Sequence, residues 1–234
     1  MPSPLSPGRA AHTAPAWAQA ATQTRIDLND DVLRELARVG RRRQWRSGQT
    51  VVHLGASVDH VSVCVSGKFR VVINSVDGQS MLLRFLLRGE MFGMPSVFAG
   101  APFPTDVICE ESGEILDISR SAIEQVLHER PQLAVALIES LCVRVAELFA
   151  LMEANLLPSL RARVHRRLLW LAQAHGEAQP SGQVRLHLSQ QDIAQAVNAS
   201  RQKVQVELKR LEREGLIRLG YRCITIEPGL RAAA

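Results

Sequence analysis

The chain has 234 residues, of which 46% are hydrophobic and 22% are charged, a balance typical of globular proteins with room for two modest domains. No stretch approaches the roughly 18 consecutive apolar residues that a membrane-spanning helix needs, and the N-terminus lacks the continuous apolar core of a secretory signal. The four cysteines form no CxxC pair, which argues against a disulfide framework or a cysteine-rich metal site. We expect a cytoplasmic protein with no membrane partner and no metal site.

Positive charge is concentrated in the last third of the chain. Residues 159–234 hold 13 Lys and Arg against 6 Asp and Glu, whereas residues 1–158 hold 15 against 17. A basic segment of this kind favours a phosphate-backbone partner, because each neutralised phosphate releases counterions. A basic domain without such a partner would have the same charge balance, so sequence motifs have to distinguish the two possibilities.

The first periodic pattern of hydrophobic residues begins near residue 30. Residues 1–25 are rich in Ala, Pro, Ser and Thr without periodicity, so we predict a disordered tail and assign it no role. An apolar face at Leu33 and Leu36 predicts a helix over residues 30–39. The basic run at residues 41–43 is interpreted as solvated surface.

Residues 44–118 contain short strands separated by turn residues. In residues 60–66 valines alternate with small polar residues, and we expect this strand to end at Gly67. The dipeptide Asp77-Gly78 lies between the apolar runs at residues 71–73 and 81–87, which predicts a tight hairpin. The spacing of the glycines is typical of a small antiparallel barrel or sandwich.

A long helix is predicted over residues 131–157, because Pro131 suits a first helical turn and Pro158 interrupts the pattern. Apolar residues recur at alternating spacings of three and four, as in a parallel two-stranded coiled coil, where an Asn can fix the register. A second apolar stripe beside them is expected to face inward, and comprises Val135, Cys142, Ala146 and Phe149. The predicted dimer interface comprises Ile138, Leu141, Val145, Leu148, Met152 and Asn155.

Two short helices joined by a turn are predicted near the C-terminus. Ser189 followed by Asp192 has the spacing of a capping box and starts the first helix. Asn198-Ala199 forms the turn, and Ser200 caps a second helix that ends before Gly215. Two short strands then form a β-wing. The motif is a winged helix-turn-helix, whose second helix fits the DNA major groove.

From residue 40 to residue 228 the chain resembles the Crp/Fnr superfamily of transcription regulators. The resemblance is carried by VSGKFRVVINSVDGQSMLLRFLLRGEMFG in the β segment, by the long helix, and above all by SRQKVQVELKRLEREGLI. It implies an α+β fold with an antiparallel, cyclic-nucleotide-binding-like β-roll sensor domain (26–130), a dimerisation helix (131–158) and a winged helix-turn-helix (159–234). It also implies a homodimer that binds a palindromic operator in double-stranded DNA and contacts RNA polymerase.

The resemblance also assigns DNA-contact positions. We expect Arg201 to bind a guanine, because Arg is suited to bidentate contact with that base. Gln202 stands where the cyclic-AMP-responsive members often have Glu, and Val206 where they usually have Arg, so the operator should differ from theirs. The predicted DNA-contact residues are Ser189, Gln190, Ser200, Arg201, Gln202, Lys203, Gln205 and Lys209.

The sensor loop, FGMPSVFAGAPFPTDV, departs from the cyclic-nucleotide-binding pattern. Met94 stands where the family has a Glu for the ribose, and Phe103 or Pro104 where it has an Arg for the cyclic phosphate. Since no Lys or Arg occurs between Arg88 and Arg120, a buried phosphate would lack its counter-charge and we expect no cyclic nucleotide. One interpretation is a pocket for an apolar or aromatic effector, and the other is a closed β-roll. The pocket would be lined by Phe92, Met94, Val97, Phe98 and Phe103.

Other functional classes are less well supported. The N-terminal cysteine cluster of the iron-sulfur members is absent, so we expect no such cluster. Two distant histidines that meet around a haem stay an open alternative, in which the chain is a haem- or small-molecule-binding sensory protein that acts through protein contacts. We expect no enzyme, because no nucleophile-base constellation or phosphate-binding glycine loop is present. Asp106, Glu110 and Glu111 are interpreted as surface charges at turns and strand ends.

Overall fold

The structure is a computed structural model that describes residues 30–74 and 80–232. The predicted N-terminal tail and the Asp77-Gly78 turn lie outside these residues. Within them, no helix combines the length and hydrophobicity needed to cross a bilayer. The described residues form two units, each built around its own sheet and joined by a long helix.

The N-terminal unit is an antiparallel β-roll flanked by helices. Its elements are α1 (Asp30–Val39), β1 (Arg41–Trp45), β2 (Thr50–Val52), β3 (His60–Asn74), β4 (Ser80–Leu86), β5 (Met91–Phe92), α2 (Met94–Ala99), β6 (Asp106–Ser119) and α3 (Arg120–Glu129). The sheet order is β1-β6-β3-β4, with β2 paired to β6 and β5 paired to β3. The predicted helix over residues 30–39 is confirmed, and the basic run after it forms the exposed strand β1.

The prediction that a strand ends at Gly67 is wrong. β3 runs through Gly67, and its pairing with β6 shifts register between Cys64 and Phe69. Gly67 has a φ of 82°, and a Cβ there would lie 2.7 Å from the Cα of Gly113 on β6. The two glycines allow a close backbone approach, so Gly67 marks an irregularity within a long strand. The hairpin pairing of β3 with β4 is confirmed.

The long helix α4 (Pro131–Asn155) begins at the predicted proline. Leu137 packs in a core with α1 and α3. The prediction that the second apolar stripe faces inward is wrong, because Val135 and Phe149 are each 56% exposed and Cys142 is exposed as well. The face toward the β-roll instead carries Arg144, whose ion pair with the β-roll cannot be found by a search for apolar residues.

The C-terminal unit contains the predicted winged helix-turn-helix. Its elements are α5 (Leu160–His175), β7 (Glu177–Ala178), β8 (Val184–Leu186), α6 (Gln190–Ala196), α7 (Arg201–Arg213), β9 (Ile217–Gly220), β10 (Cys223–Ile226) and α8 (Pro228–Ala232). The sheet order is β7-β8-β10-β9. β7 pairs with β8, and a strand of two residues is too short for periodicity to indicate it.

The C-terminal unit packs directly on the β-roll. Arg70 of β3 donates hydrogen bonds to Asp192 at 2.8 Å and to Gln195 at 2.7 Å, both on α6. Lys68 Nζ, also on β3, donates to the backbone carbonyl of His187 at 3.0 Å. These contacts fix the first helix of the motif against the sensor sheet.

Two of the three acidic residues interpreted as surface charges have structural roles instead. Asp106 is buried, and its Oδ1 accepts a hydrogen bond from the Leu54 N–H at 2.8 Å. Glu110 lies within β6 and pairs with Arg70 at 3.5 Å and with Arg222 of the wing at 2.9 Å. Glu110 therefore joins the β-roll to the C-terminal unit, a role that strand position alone does not predict.

Candidate nucleic-acid interface and sensor cavity

The predicted capping box at the start of α6 is confirmed. Ser189 Oγ accepts from the Asp192 N–H, and Asp192 Oδ2 accepts from the Ser189 N–H at 2.8 Å. The Ser189 hydroxyl also donates to Asp192 Oδ2 at 2.7 Å. Ser189 is therefore engaged in fixing the helix end, and Gln190 follows it in a half-buried position.

The turn between α6 and α7 has the geometry that its sequence predicts. Asn198 has a φ of 49°, a left-handed conformation that Asn tolerates better than most residues. Ser200 Oγ then accepts from the Lys203 N–H at 3.4 Å and caps α7. Val204 and Leu208 on the inner face of α7 are buried, so packing fixes the direction of the outer face.

The outer face of α7 is polar and accessible. Ser200, Arg201, Gln202, Lys203 and Lys209 are exposed, whereas Gln205 is half-buried. Within the described part of the chain, Arg201, Lys203 and Lys209 form no ion pair. Their charges are thus available to a phosphate or a base edge.

The wing follows α7, and its first strand, β9, packs against that helix. Tyr221 at its tip is 94% exposed, and Arg222 adopts a φ of 48° in the turn between β9 and β10. Because Arg222 pairs with Glu110, the wing is held against the β-roll.

The predicted dimer stripe forms an exposed apolar face on α4. Its apolar members are 39% to 64% exposed, which is unusual for five large hydrophobic residues on one helix. The side chain of Asn155 lies outside the described part of the structure. The apolar members are Ile138, Leu141, Val145, Leu148 and Met152.

A cavity of about 310 Å³ lies between the β-roll, α4 and α5. Of the five residues predicted to line an effector pocket, Phe92, Met94 and Phe103 line this cavity, whereas Val97 and Phe98 do not. Val97 is buried elsewhere, and Phe98 lines a separate apolar groove beside α4. The reason is that this part of the loop forms the helix α2, of which only the first turn faces the cavity.

A buried charged cluster adjoins the cavity, and sequence reasoning missed it. Glu90 accepts hydrogen bonds from Arg84 at 3.1 Å, from Arg144, and from the Leu87 N–H at 2.7 Å. Burial alone would raise the pKa of Glu90, but the two guanidinium groups lower it overall. Burial is also the main reason that the pKa of Arg84 falls to about 10. The cluster connects β4 to α4.

The sensor loop lacks a counter-charge, but the cavity as a whole does not. Arg84, Arg144 and Arg167 line it from β4, α4 and α5. Residues from three separate elements meet only in the folded chain, so no local pattern could reveal them. No histidine or cysteine lies among the described lining residues, so of the side chains that commonly ligate haem iron this lining offers methionine, at Met91 and Met94. The described residues contain no group of three metal-ligating side chains.

Comparison with known proteins agrees with this architecture. The family model for the cyclic nucleotide-binding domain matches residues 42–130, and that for the Crp-like helix-turn-helix domain matches residues 162–232. A similar curated protein is the CRP-like cAMP-activated global transcriptional regulator of Mycobacterium tuberculosis, which is 29% identical over 188 residues, or 80% of this chain and 84% of that protein.

Solved structures show the same fold. A mutant of CooA from Carboxydothermus hydrogenoformans has a TM-score of 0.73 at 18% identity, covering 85% of this chain and 88% of that one. The c-di-GMP responsive global regulator CLP of Xanthomonas campestris has a TM-score of 0.71 at 18% identity, covering 85% and 99%. The matches to the cyclic nucleotide-binding and Crp-like helix-turn-helix family models, over the β-roll and the C-terminal unit respectively, show that the chain belongs to the Crp/Fnr family of DNA-binding transcription regulators.

Proposed function

We propose that two copies of the chain associate through α4 and that the dimer binds a palindromic operator, with one α7 helix in each of two successive major grooves. The proposal includes an effector that binds in the cavity beside α4 and changes operator affinity. It also includes a cytoplasmic location and a contact with RNA polymerase, in line with the family resemblance.

The observation that supports the proposed dimer is the exposed apolar stripe on α4. Ile138, Val145 and Met152 alternate with leucines along one line of the helix, the arrangement that favours parallel two-stranded coiled coils. Burying that stripe against a second copy removes it from water, which stabilises the pair. A two-fold axis along α4 then presents two α7 helices to a two-fold symmetric DNA site.

Base recognition is assigned to the N-terminal end of α7. Arg201 and Gln202 are exposed there, and both side chains suit bidentate contacts, Arg with guanine and Gln with adenine. Val206, one turn later, is 50% exposed and offers an apolar contact. An apolar group at this position favours a thymine methyl over a second guanine contact.

The effector is proposed to differ from a cyclic nucleotide. Met94 and Phe103 line the cavity where family members with that ligand carry polar contacts, and the cavity wall is largely apolar. The cations near the cavity come from other elements, and two of them are already engaged with Glu90. An apolar effector fits this distribution better than a ribose phosphate does.

The test is selection of bound duplexes from a random pool by the purified protein. We expect a palindrome with half-sites about one helical turn apart. Arg201→Ala should weaken binding to the selected duplex by about 10- to 100-fold, whereas Arg213→Ala at the far end of α7 serves as the matched control and should preserve the sequence preference. Sequence-indifferent binding that depends only on salt would contradict the proposal.

A further inference from the structure

The cavity that we propose as the effector site is shared by the two units of the chain. The β-roll contributes Phe92 and Phe103, α4 contributes Leu137, and α5 contributes Arg167 and Trp170. Because α5 belongs to the DNA-binding unit, a molecule in the cavity contacts that unit directly.

The charges around the cavity leave one cation in excess. Arg84 and Arg144 both donate to Glu90, and Arg144 also pairs with Glu147 at 2.8 Å. These two cations and two carboxylates balance each other. Arg167 is the remaining charged residue of the lining.

Arg167 is buried without a carboxylate partner. It is 4% exposed, and it forms no ion pair with any residue that the structure describes. Its Nη2 donates to the carbonyl groups of Leu82 at 3.0 Å and Leu83 at 2.6 Å, and its guanidinium lies 4.2 Å from the ring centroid of Trp170. The Arg167 Nε has no acceptor among the described residues. Burial lowers the pKa of Arg167 to about 10, so the group is still charged at neutral pH.

Glu147 is the carboxylate whose charge acts on Arg167, but its ion pair is with Arg144. A buried cation without an ion pair of its own is unfavourable, and an anion beside it relieves that cost. The rest of the cavity wall selects for apolar surface, since it is formed by side chains such as Val71, Phe103 and Leu148. A volume of about 310 Å³ lies at the lower end of the range of small-molecule pockets, about 300 to 1,000 Å³. A small organic molecule therefore fits.

We propose that the cavity binds a small apolar molecule with one carboxylate, and that this carboxylate pairs with Arg167. The inference rests on the proposed function of the cavity as the effector site. The carboxylate competes with the Leu82 and Leu83 carbonyls for the guanidinium, so the ligand acts on the contact between α5 and β4. Because Arg167 belongs to α5, the DNA-binding unit contacts the ligand through one of its own side chains.

The test compares octanoate with octanamide, which has the same number of heavy atoms and no charge, by isothermal titration calorimetry of the full chain at neutral pH. Charge-assisted hydrogen bonds to a buried guanidinium predict that octanoate binds at least about tenfold more tightly. Arg167→Met should abolish this preference. The matched control is Arg163→Met, one turn earlier on α5 and outside the cavity lining, which should keep it.

Arg167→Lys is the control for a folding defect in Arg167→Met. It keeps the positive charge, so it should keep part of the preference for octanoate over octanamide. Equal affinity for octanoate and octanamide in the wild type would overturn the inference, and so would a preference that survives in Arg167→Met, or no binding of either molecule. Failure of the proposed function is separate, because operator selection measures it without any ligand. Equal binding of both probes would leave the cavity as a site for uncharged effectors.

Discussion

Glu90 connects the sensor sheet to the dimerisation helix, so its replacement tests how the units are joined. Glu90 is 3% exposed and accepts hydrogen bonds from two guanidinium groups and one backbone N–H. Glu90→Gln keeps the shape but leaves the mostly buried side chains of Arg84 and Arg144, 15% and 24% exposed, without a carboxylate between them. Breaking a buried pair in this way costs about 3 kcal/mol, which for a chain of this size corresponds to a fall in Tm of about 6 to 12 °C.

Thermal unfolding followed by circular dichroism measures this change. The matched control is Glu124→Gln, which breaks the exposed pair with Arg120 (side chains 47% and 56% exposed) and should change the free energy of unfolding by less than about 1 kcal/mol. If Glu90→Gln melts within about 2 °C of the wild type, the buried cluster does not stabilise the joint and the reasoning is refuted.

Three further predictions concern pH, assembly and backbone packing. The pKa of Glu90 is lowered in the folded chain, so the stabilisation by its carboxylate is present above the ordinary glutamate pKa and is lost as pH falls through the lowered value. The difference in Tm between wild type and Glu90→Gln should therefore shrink below about pH 4. A difference that stays constant down to acid pH would exclude this role. Val145→Glu places a charge in the apolar stripe and should convert a dimer to monomers in analytical ultracentrifugation, whereas Gln132→Glu, outside the stripe, should leave the dimer intact. A dimer in both variants would show that α4 is not the dimer interface. Gly113→Ala should lower the free energy of unfolding, measured by urea denaturation, by about 2 kcal/mol or more, because the new Cβ would lie 2.1 Å from a backbone oxygen of β3. In the control Gly220→Ala the nearest contact of the new Cβ is at 3.6 Å, so the free energy of unfolding should hardly change.

The winged helix-turn-helix could be predicted from the sequence because its signals are local. The capping box at Ser189 and Asp192, the turn at Asn198 and the cap at Ser200 each depend on residues within four positions of one another. Local hydrogen bonds determine these features, so the sequence spacing contains the information.

The sensor site could be predicted only in part, because its decisive contacts are long-range. The prediction that a strand ends at Gly67 is wrong because the close approach of Gly67 to Gly113 joins residues far apart in the chain. Arg144 and Glu90 lie 54 positions apart, and their ion pair sets which face of α4 turns inward. Arg167 was missed for the same reason, because its acceptors are carbonyl groups on β4.

The central claim is that a dimer reads two half-sites with two α7 helices, and the spacing between half-sites tests it most directly. The measurement is the affinity for the selected duplex and for a version with five extra base pairs at its centre, which turns one half-site to the opposite face of the DNA. The account predicts that the insertion reduces affinity to that of a duplex with one half-site. Equal affinity for both duplexes would mean that each chain binds DNA on its own, and would contradict it.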